Sequence, residues 1–422
     1  MKLFGTSGIR RLFDRSLLEL AWRVGLAVGK KYGRVVIGAD TRTSSEAMKH
    51  ALIAGVLAGG AESFDAGVVP TPTLAFAARD FDAGAMVTAS HNPPEYNGIK
   101  LLSPDGSAFD ARQQAEVEAL VMGVECAPWD RLRGGSRYDG AIEQHIEAIL
   151  RLVPGGLGIR VALDCGCGAA SAVTPDLLRR LGCEVMELNC HPSGFFPRSP
   201  EPSEKSLSDL MRLTRETGAR LGIAHDGDGD RMMAVDERGR FIPGDKLLAI
   251  FAMSLGAGRI VTTVDASMAV DEMGLGVART PVGDNHVSEA LKQGGDFGGE
   301  PSGAWVFPSL SLYPDGVFAA ARLAAIASRE KLSRLARGLP AYPLIRDSVP
   351  GDGLTSGLES KLAELRPLRT SRIDGLRLEF VDGWLLVRSS GTEPKVRVTV
   401  EAKTEARARQ LHAAAVKALE ES

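Results

Sequence analysis

Three short β-type runs in this 422-residue chain end in or near an aspartate, and a loop motif rich in glycine or serine follows each run. The aspartates are Asp40, Asp164 and Asp265, and their spacings of 124 and 101 residues are too long and too uneven for a solenoid of short repeats. Helical periodicity separates the β-type runs, which is typical of α/β layers rather than of a bundle or a sandwich. The sequence therefore predicts three similar α/β domains, each of which directs one loop toward a common centre.

A smaller segment with a different pattern follows from about Leu344. One helical run, several β-type runs and a final helix predict an α+β module there. At roughly 100–200 residues per domain, the chain length favours two to four domains. We expect α/β domains over residues 1–130, 138–236 and 240–339, and the α+β domain over residues 344–422. The predicted linkers are Pro128–Arg137, Asp236–Arg240 and Leu339–Pro343.

The composition limits the partners and the location. Fifty basic and 53 acidic residues leave a net charge of −3, so no bulk positive field favours nucleic acid or an anionic membrane. The first residues lack the apolar core of a signal peptide, and the longest apolar stretch, Ala51–Ala61, is about half a bilayer span. Five scattered cysteines do not resemble a secreted disulfide framework. We expect a cytoplasmic protein that binds neither nucleic acid nor membrane.

The strongest local motif is Asp226-Gly-Asp228-Gly-Asp230-Arg231. Three carboxylates at alternate positions can converge on one hard cation, and without a cation they repel one another. Because Arg231 stands at the sixth position, where a calcium-binding EF-hand needs glycine, the motif is not an EF-hand. Three protein oxygens leave ligand positions for phosphate or water, which favours Mg²⁺. The alternative is the Asp-x-Asp motif of a dehalogenase-like fold, with Asp226 as the nucleophile.

The motif Thr88-Ala-Ser-His-Asn-Pro93 follows a short apolar β-type run, so Ser90 is expected where a strand meets a loop. Its hydroxyl could be a nucleophile, and the neighbouring His91 suggests a Ser–His pair. However, adjacent side chains usually point apart, and the Gly-x-Ser-x-Gly elbow of acyl-transfer enzymes is missing. Lys100 adds an ammonium group that could neutralise a phosphate or shuttle a proton. Because Ser, Asn and Pro are turn formers, a plain turn is the alternative interpretation.

Two further loops suit a sugar and a phosphate. Gly299-Glu-Pro-Ser-Gly303 offers a carboxylate and a hydroxyl that can hold two sugar hydroxyls, although a plain turn would have the same composition. The segment Arg388–Lys395, followed by Arg397, places hydroxyls and glycine between cations, which is a cradle for an anion. Gly166–Ser171 resembles a dinucleotide fingerprint with serine for the third glycine, and a tight strand-to-helix turn explains it equally well.

Together, the motifs resemble those of the α-D-phosphohexomutase superfamily, which comprises phosphoglucomutases, phosphomannomutases and phosphoglucosamine mutases. The motifs occur in the family's order over nearly the whole chain. They are Gly5-Thr-Ser-Gly-Ile-Arg10, Thr88–Pro93 with Asn97-Gly-Ile-Lys100, Asp226–Arg231, Gly298–Gly303 and Arg388–Pro394. The resemblance implies four domains around a central cleft that contains the active site.

The resemblance also implies roles for individual residues. Ser90 would carry the phosphoryl group, and its phosphate together with Asp226, Asp228 and Asp230 would hold one Mg²⁺ per chain. The other residues implied at the reacting centre are Arg10, Lys100, as a candidate proton shuttle, and His91. The residues implied in substrate binding are Glu300 and Ser302 for the sugar hydroxyls, Arg231 in the cleft, and Arg388, Ser390, Gly391, Thr392 and Arg397 for the non-reacting phosphate.

The implied reaction interconverts hexose 6-phosphate and hexose 1-phosphate through a bisphosphorylated intermediate, with a bisphosphosugar as activator, in a monomer or a homodimer. Thr280–Asp284 and His286 resemble the phosphoglucosamine mutase branch, so glucosamine phosphate is the predicted substrate. Pro301 and Ala304-Trp305 depart from bacterial members and resemble archaeal relatives, so a phosphoglucomutase/phosphomannomutase of broad specificity is the alternative. A protein that binds sugar phosphates without catalysis is the hypothesis from another class.

Overall fold

The computed structural model of the protein describes residues 3–5, 7–123, 125–350, 353–389 and 395–421. Within these residues there are four β-sheets with helices packed against them. In the first three sheets a central strand has a parallel neighbour on each side, and an antiparallel strand follows on one side. The fourth sheet is antiparallel throughout. The predicted fold class, three similar α/β units followed by an α+β unit, is confirmed.

The first sheet and its helices are built from residues 9–137. The strands are β1 (Ile9–Leu12), β2 (Arg34–Ala39), β3 (Glu62–Val68), β4 (Ala83–Val87), β5 (Tyr96–Leu102) and β6 (Gly135–Arg137), and the helices are α1 (Arg15–Lys31), α2 (Ser45–Ala58), α3 (Thr71–Ala77) and α4 (Ala111–Val121). The strand order is β1-β5-β4-β2-β3-β6. Because β6 pairs with β3, part of the predicted linker Pro128–Arg137 is an edge strand of this sheet.

The second sheet follows the same plan. Its strands are β7 (Arg160–Asp164), β8 (Glu184–Leu188), β9 (Leu221–His225), β10 (Met232–Asp236) and β11 (Phe241–Ile242), and the helices of this region are α5 (Ala141–Leu152), α6 (Thr174–Arg180) and α7 (Ser208–Glu216). The strand order is β11-β10-β9-β7-β8. The segment predicted as a linker, Asp236–Arg240, forms the turn of the hairpin in which β10 pairs with β11.

The third sheet shares a continuous apolar core with the second. Its strands are β12 (Arg259–Thr263), β13 (Gly276–Thr280), β14 (Phe297–Gly299) and β15 (Trp305–Val306), and the helices are α8 (Gly244–Leu255), α9 (Asp284–Lys292), α10 (Gly316–Arg329) and α11 (Leu332–Gly338). The strand order is β13-β12-β14-β15. The rings of Phe251, Phe297 and Trp305 pack with centroids 5.5–6.3 Å apart and fill this core.

The last four strands of the fourth sheet form a meander, and its first strand pairs with the last one. Its strands are β16 (Leu344–Pro350), β17 (Arg369–Ser371), β18 (Leu376–Phe380), β19 (Gly383–Ser389) and β20 (Lys395–Ala402), and its helices are α12 (Ser356–Ala363) and α13 (Glu405–Glu420). The order is β16-β20-β19-β18-β17. Segment 339–343, which precedes β16, contains neither helix nor strand, as predicted for a linker.

The repeated plan explains why three motifs meet. In each α/β unit the motif begins directly after the equivalent strand, that is β4, β9 and β14, before the chain enters the antiparallel strand. The carboxyl ends of such strands are where open α/β sheets bind ligands. None of the helices in the described ranges combines the length and the apolar character that crossing a membrane requires.

Candidate active site

Ser90 lies in a strained loop at the end of β4. Its φ of 51° is in the left-handed region, which costs a non-glycine residue roughly 1–3 kcal/mol and is concentrated at functional sites. The Thr88 hydroxyl accepts a hydrogen bond from the Ser90 amide at 2.8 Å and helps to hold this conformation. The Ser90 side chain is buried, and its hydroxyl donates to Oδ2 of Asp226 at 2.7 Å. The serine and metal motifs are therefore in direct contact.

Arg42 holds the serine loop, and our sequence analysis did not predict this role. The guanidinium is buried and donates to the backbone carbonyls of four loop residues at 2.7–2.9 Å, namely Ser90, Asn92, Pro93 and Tyr96. Its Nε donates to Asp40 at 3.0 Å, so the strand-ending aspartate orients the arginine. The only sequence signal was an arginine two residues after that aspartate.

Asp164, the last residue of β7, orients an arginine beside the acidic loop Asp226–Arg231. Arg198 forms an ion pair with Asp164 at 2.7 Å and donates to the carbonyl of His225 at 2.8 Å. His225 is the last residue of β9 and directly precedes the acidic loop. Gly168 lies against this loop, since a Cβ there would be 2.6 Å from the Gly227 carbonyl oxygen. Close packing thus accounts for the Gly166–Ser171 motif.

The carboxylates of Asp226, Asp228 and Asp230 converge in the interior. All three are buried, and one ligand oxygen from each lies within 4.8 Å of the others. Burial and the two neighbouring carboxylates raise the pKa of Asp226 well above its usual range, and burial and Asp228 raise that of Asp230. The Oδ1 atoms of Asp228 and Asp230 are buried and have no hydrogen-bond partner within the described ranges. Mutual repulsion and unpaired acceptors fit a hard divalent cation at this position.

Thr71 is a further neighbour of this cluster that the sequence did not identify. It begins α3, and its hydroxyl donates to Oδ2 of Asp228 at 2.6 Å while its amide donates to the Asp228 carbonyl at 2.8 Å. A group that orients a metal ligand in this way usually affects metal affinity.

Lys100 extends from β5 into the acidic cluster. Its buried ammonium donates to Asp228 at 2.8 Å and to Asp230 at 2.6 Å. Burial alone would lower the pKa of Lys100, but the two carboxylates outweigh it and raise the pKa well above the ordinary value. The same ammonium keeps the pKa of Asp228 low despite its burial. A solvated surface lysine, the ordinary expectation for a lone lysine, is excluded.

The structure places His91 and Arg10 at the serine. The Nδ1 atom of His91 lies 3.3 Å from the Ser90 hydroxyl oxygen, so the expectation that the two side chains point apart was wrong. Burial, followed by the charges of Arg231 and Arg10, lowers the pKa of His91 to about 2, so the ring is neutral. Arg10 donates to the side chain of Asn92 at 3.0 Å, and no residue that the structure describes accepts a hydrogen bond from its buried Nε.

Glu300 and Ser302 face the cluster from the third sheet. Glu300 is buried and accepts from the Gly283 amide at 2.7 Å and from the Ser302 hydroxyl at 3.2 Å. Burial, and then the charge of Asp284, raises the pKa of Glu300 to about 7. The Arg231 guanidinium opposes that rise, and its own pKa is raised by the surrounding carboxylates.

The arginines of the fourth sheet line a cavity of about 320 Å³. Arg388 and Arg397 are opposite each other on β19 and β20, and Arg346, which the sequence analysis missed, lines the same cavity. Arg388 forms an ion pair with Asp374 at 3.1 Å, and its Nε is buried with no hydrogen-bond partner among the described residues. The predicted phosphate ligands Ser390, Gly391 and Thr392 lie outside the described residues.

Comparison with known proteins shows the relationship over the whole chain. Profiles of the phosphoglucomutase/phosphomannomutase family match all four units: the alpha/beta/alpha domains I, II and III at residues 1–125, 143–239 and 243–342, and the C-terminal domain at residues 354–418. A probable phosphoglucosamine mutase of Methanosarcina barkeri is 49% identical over 417 residues, or 96% of each chain. Another from Thermococcus gammatolerans is 44% identical and covers 100% of this chain and 99% of its own.

Solved structures share the fold at lower identity. A phosphoglucomutase/phosphomannomutase family protein of Burkholderia thailandensis superposes with a TM-score of 0.88 at 30% identity, covering 99% of this chain and 97% of its own. A putative phosphomannomutase of Thermus thermophilus superposes with a TM-score of 0.82 at 29% identity, covering 99% of this chain and 98% of its own.

Proposed function

The chain belongs to the phosphoglucomutase/phosphomannomutase family and is therefore a phosphosugar mutase, and from this premise we propose that it carries the transferred phosphoryl group on Ser90. The observation that supports this assignment is the 2.7 Å contact between the Ser90 hydroxyl and Asp226, in a cluster that also contains Lys100. The substrate class is a hexose or hexosamine phosphate, with a bisphosphosugar as activator.

In the forward reaction the bond between phosphorus and the Ser90 oxygen breaks, and a new bond forms to the free hydroxyl of the sugar phosphate. The resulting bisphosphate turns around, and its other phosphoryl group returns to Ser90. Such transfers have a loose transition state, so the protein mainly aligns the groups and neutralises charge. In this proposal Arg10, which contacts Asn92 of the serine loop, and Lys100, which contacts Asp228 and Asp230, supply positive charge for a Ser90 phosphate of roughly −2.

We assign the proton transfers to Lys100, which lies in the acidic cluster that Ser90 contacts through Asp226. The sugar hydroxyl loses its proton as it is phosphorylated, and the Ser90 oxygen gains one as it leaves. Lys100 is protonated in its pairs with Asp228 and Asp230, so it can donate to the leaving oxygen and recover a proton from the attacking hydroxyl. Neutral His91, 3.3 Å away, can orient the hydroxyl but cannot contribute a positive charge.

We assign a divalent cation, Mg²⁺ by preference, to Asp226, Asp228 and Asp230. Their buried, mutually repelling oxygens and the two unpaired Oδ1 atoms support this assignment. When bound, the ion would supply Lewis-acid stabilisation of charge on the transferred group.

The substrate itself is held from two sides in this proposal. Glu300 and Ser302 bind sugar hydroxyls, and Arg388 and Arg397 bind the phosphate that does not react, since guanidinium groups recognise phosphate with paired hydrogen bonds. The predicted ligands from segment 390–392 complete this second site. The names of the archaeal relatives favour glucosamine phosphate, with glucose or mannose phosphate as the alternative.

The test combines phosphate mapping with turnover. The protein is incubated with labelled glucose 1,6-bisphosphate, and the modified residue is located by mass spectrometry in the native chain, in Ser90→Ala and in Asp226→Asn. We expect label on Ser90, none on Ser90→Ala, and mutase activity that falls by more than about 10⁴-fold in Ser90→Ala because the nucleophile is lost. Glucosamine, glucose and mannose 6-phosphates are compared with Mg²⁺ and after its removal by chelation.

Each alternative predicts a different result. Label on Asp226 would support the dehalogenase-type aspartyl mechanism and refute the serine. A sugar-phosphate-binding protein without catalysis predicts no turnover of any of the three substrates by the native chain. Equal rates on all three substrates would support the broad-specificity alternative and leave the serine mechanism intact.

A further inference from the structure

Asp284 lies between the two halves of the proposed active site. It is the first residue of α9, directly after Gly283, whose amide donates to Glu300 at 2.7 Å. On the other side, Oδ1 of Asp284 accepts from the hydroxyl of Ser7 at 3.1 Å, in the loop that leads to β1. Asp284 therefore directly follows the residue whose backbone amide binds Glu300, the proposed sugar-binding glutamate.

The Asp284 carboxylate is not paired with a cation among the residues that the structure describes. Whereas Asp228 and Asp230 are paired with Lys100, no ion pair to Asp284 is formed by any residue that the structure describes. Its field nevertheless reaches the site, because it contributes to the raised pKa values of Glu300 and Asp230. An uncompensated carboxylate at a substrate cleft is complementary to a cation on the ligand.

A second acceptor lies next to it. The Oδ1 atom of Asn285 is buried and accepts no hydrogen bond from the described part of the chain, and Asn285 lines the same narrow cavity as Asp284, Ser7 and Lys100. A buried acceptor without a donor costs free energy unless a ligand supplies the hydrogen bond. Hexose and hexosamine phosphates differ at C2, where a neutral hydroxyl is replaced by an amine that is protonated near neutral pH. A carboxylate beside a free amide oxygen favours the ammonium.

We propose that Asp284 is a specificity-determining residue that binds the C2 ammonium of hexosamine phosphates. This inference rests on the proposed function, since it assumes that the sugar ring lies against Glu300. In this proposal the Asp284 carboxylate determines the preference for an amino sugar and takes no part in the transfer of the phosphoryl group.

The experiment compares Asp284→Asn with the native chain and with Glu289→Gln, a matched control that neutralises an exposed carboxylate on the same helix. The kcat/KM values for glucosamine 6-phosphate and glucose 6-phosphate are measured for each protein. Because a charge-assisted hydrogen bond is lost, we expect Asp284→Asn to reduce kcat/KM for glucosamine 6-phosphate by about 10- to 100-fold, mainly through KM. The value for glucose 6-phosphate should change little, and Glu289→Gln should match the native chain.

Binding gives a readout that does not depend on turnover. In a Ser90→Ala background, calorimetry with the same two sugar phosphates should show the glucosamine preference, and adding Asp284→Asn should abolish it. Equal losses for both sugars, or an unchanged ratio, would overturn the assignment of Asp284. If the native chain has no mutase activity but the Ser90→Ala protein retains the Asp284-dependent preference in binding, the proposed reaction fails and this inference stands.

Discussion

Replacing Glu300 with glutamine should stabilise the protein at alkaline pH while it impairs sugar binding. Glu300 is buried, and burial with the charge of Asp284 raises its pKa to about 7 from the ordinary value of 4.5. The folded protein therefore binds this proton more tightly than the unfolded chain. The stability associated with the protonated form is fully present below pH 4.5 and is lost as the pH rises through about 7.

The size of the effect follows from the two pKa values. Each pH unit between them corresponds to about 1.4 kcal/mol, so ionisation of Glu300 in the folded state costs up to about 3 kcal/mol. Glutamine has nearly the same shape, and its side-chain oxygen can still accept from the Gly283 amide. The Glu300→Gln variant avoids the cost of burying a charge without creating a cavity.

The free energy of unfolding is measured by urea denaturation at several values between about pH 4.5 and about pH 9, and the difference between the two proteins should grow up to about pH 7 and stay constant above it. Tryptophan fluorescence is a suitable probe, because Trp305 is buried on the strand that follows the Glu300 loop. We expect Glu300→Gln to gain stability relative to the native chain as the pH rises. Its KM should increase by roughly 10-fold or more, because a carboxylate–hydroxyl hydrogen bond is lost.

Glu289→Gln is the matched control, since Glu289 is an exposed carboxylate paired with Lys292. It should show no pH-dependent gain. A difference between Glu300→Gln and the native chain that is independent of pH, or a loss of stability at alkaline pH, would contradict the argument that Glu300 is strained by its surroundings.

The remaining predictions concern packing, metal affinity and the junction of the third and fourth sheets. Gly55→Ala should lower the urea midpoint by an amount corresponding to about 1–3 kcal/mol, because its Cβ would lie 2.1 Å from the Trp22 carbonyl oxygen and force α1 away from α2. Thr71→Val should weaken Mg²⁺ binding in calorimetry by about 10- to 100-fold, because Asp228 loses its hydroxyl donor, and Thr71→Ser should restore it. Unaltered binding in the valine variant would contradict this. Glu401→Gln should increase proteolysis at the junction, because the buried carboxylate accepts hydrogen bonds from Ser267 and Met268, between β12 and β13, and from Trp384 on β19. Native resistance would count against that role.

The motifs and the fold class could be predicted because they depend on local patterns. Acidic residues separated by glycines, such as Asp226 and Asp228, can be recognised as a candidate cation site from the local sequence alone. Long amphipathic helices such as Arg15–Lys31 and the apolar run at β12 were also recognisable from periodicity. By contrast, β5 contains Asn97 and Gly98 and has the composition of a turn, yet it is an internal, buried strand. Its tertiary neighbours outweigh its local propensity.

Contacts between distant segments decided the rest. The sequence alone determined which side chains are available for chemistry, since the proposed nucleophile Ser90, the acidic triplet and the arginines are each visible within a few residues. Only the tertiary structure brought Arg42 under the serine loop, Thr71 to Asp228, and Asp284 beside Glu300. These contacts depend on which strand ends pack together, and the pKa values depend on how deeply each group is buried. Neither can be deduced from the spacing of residues along one segment.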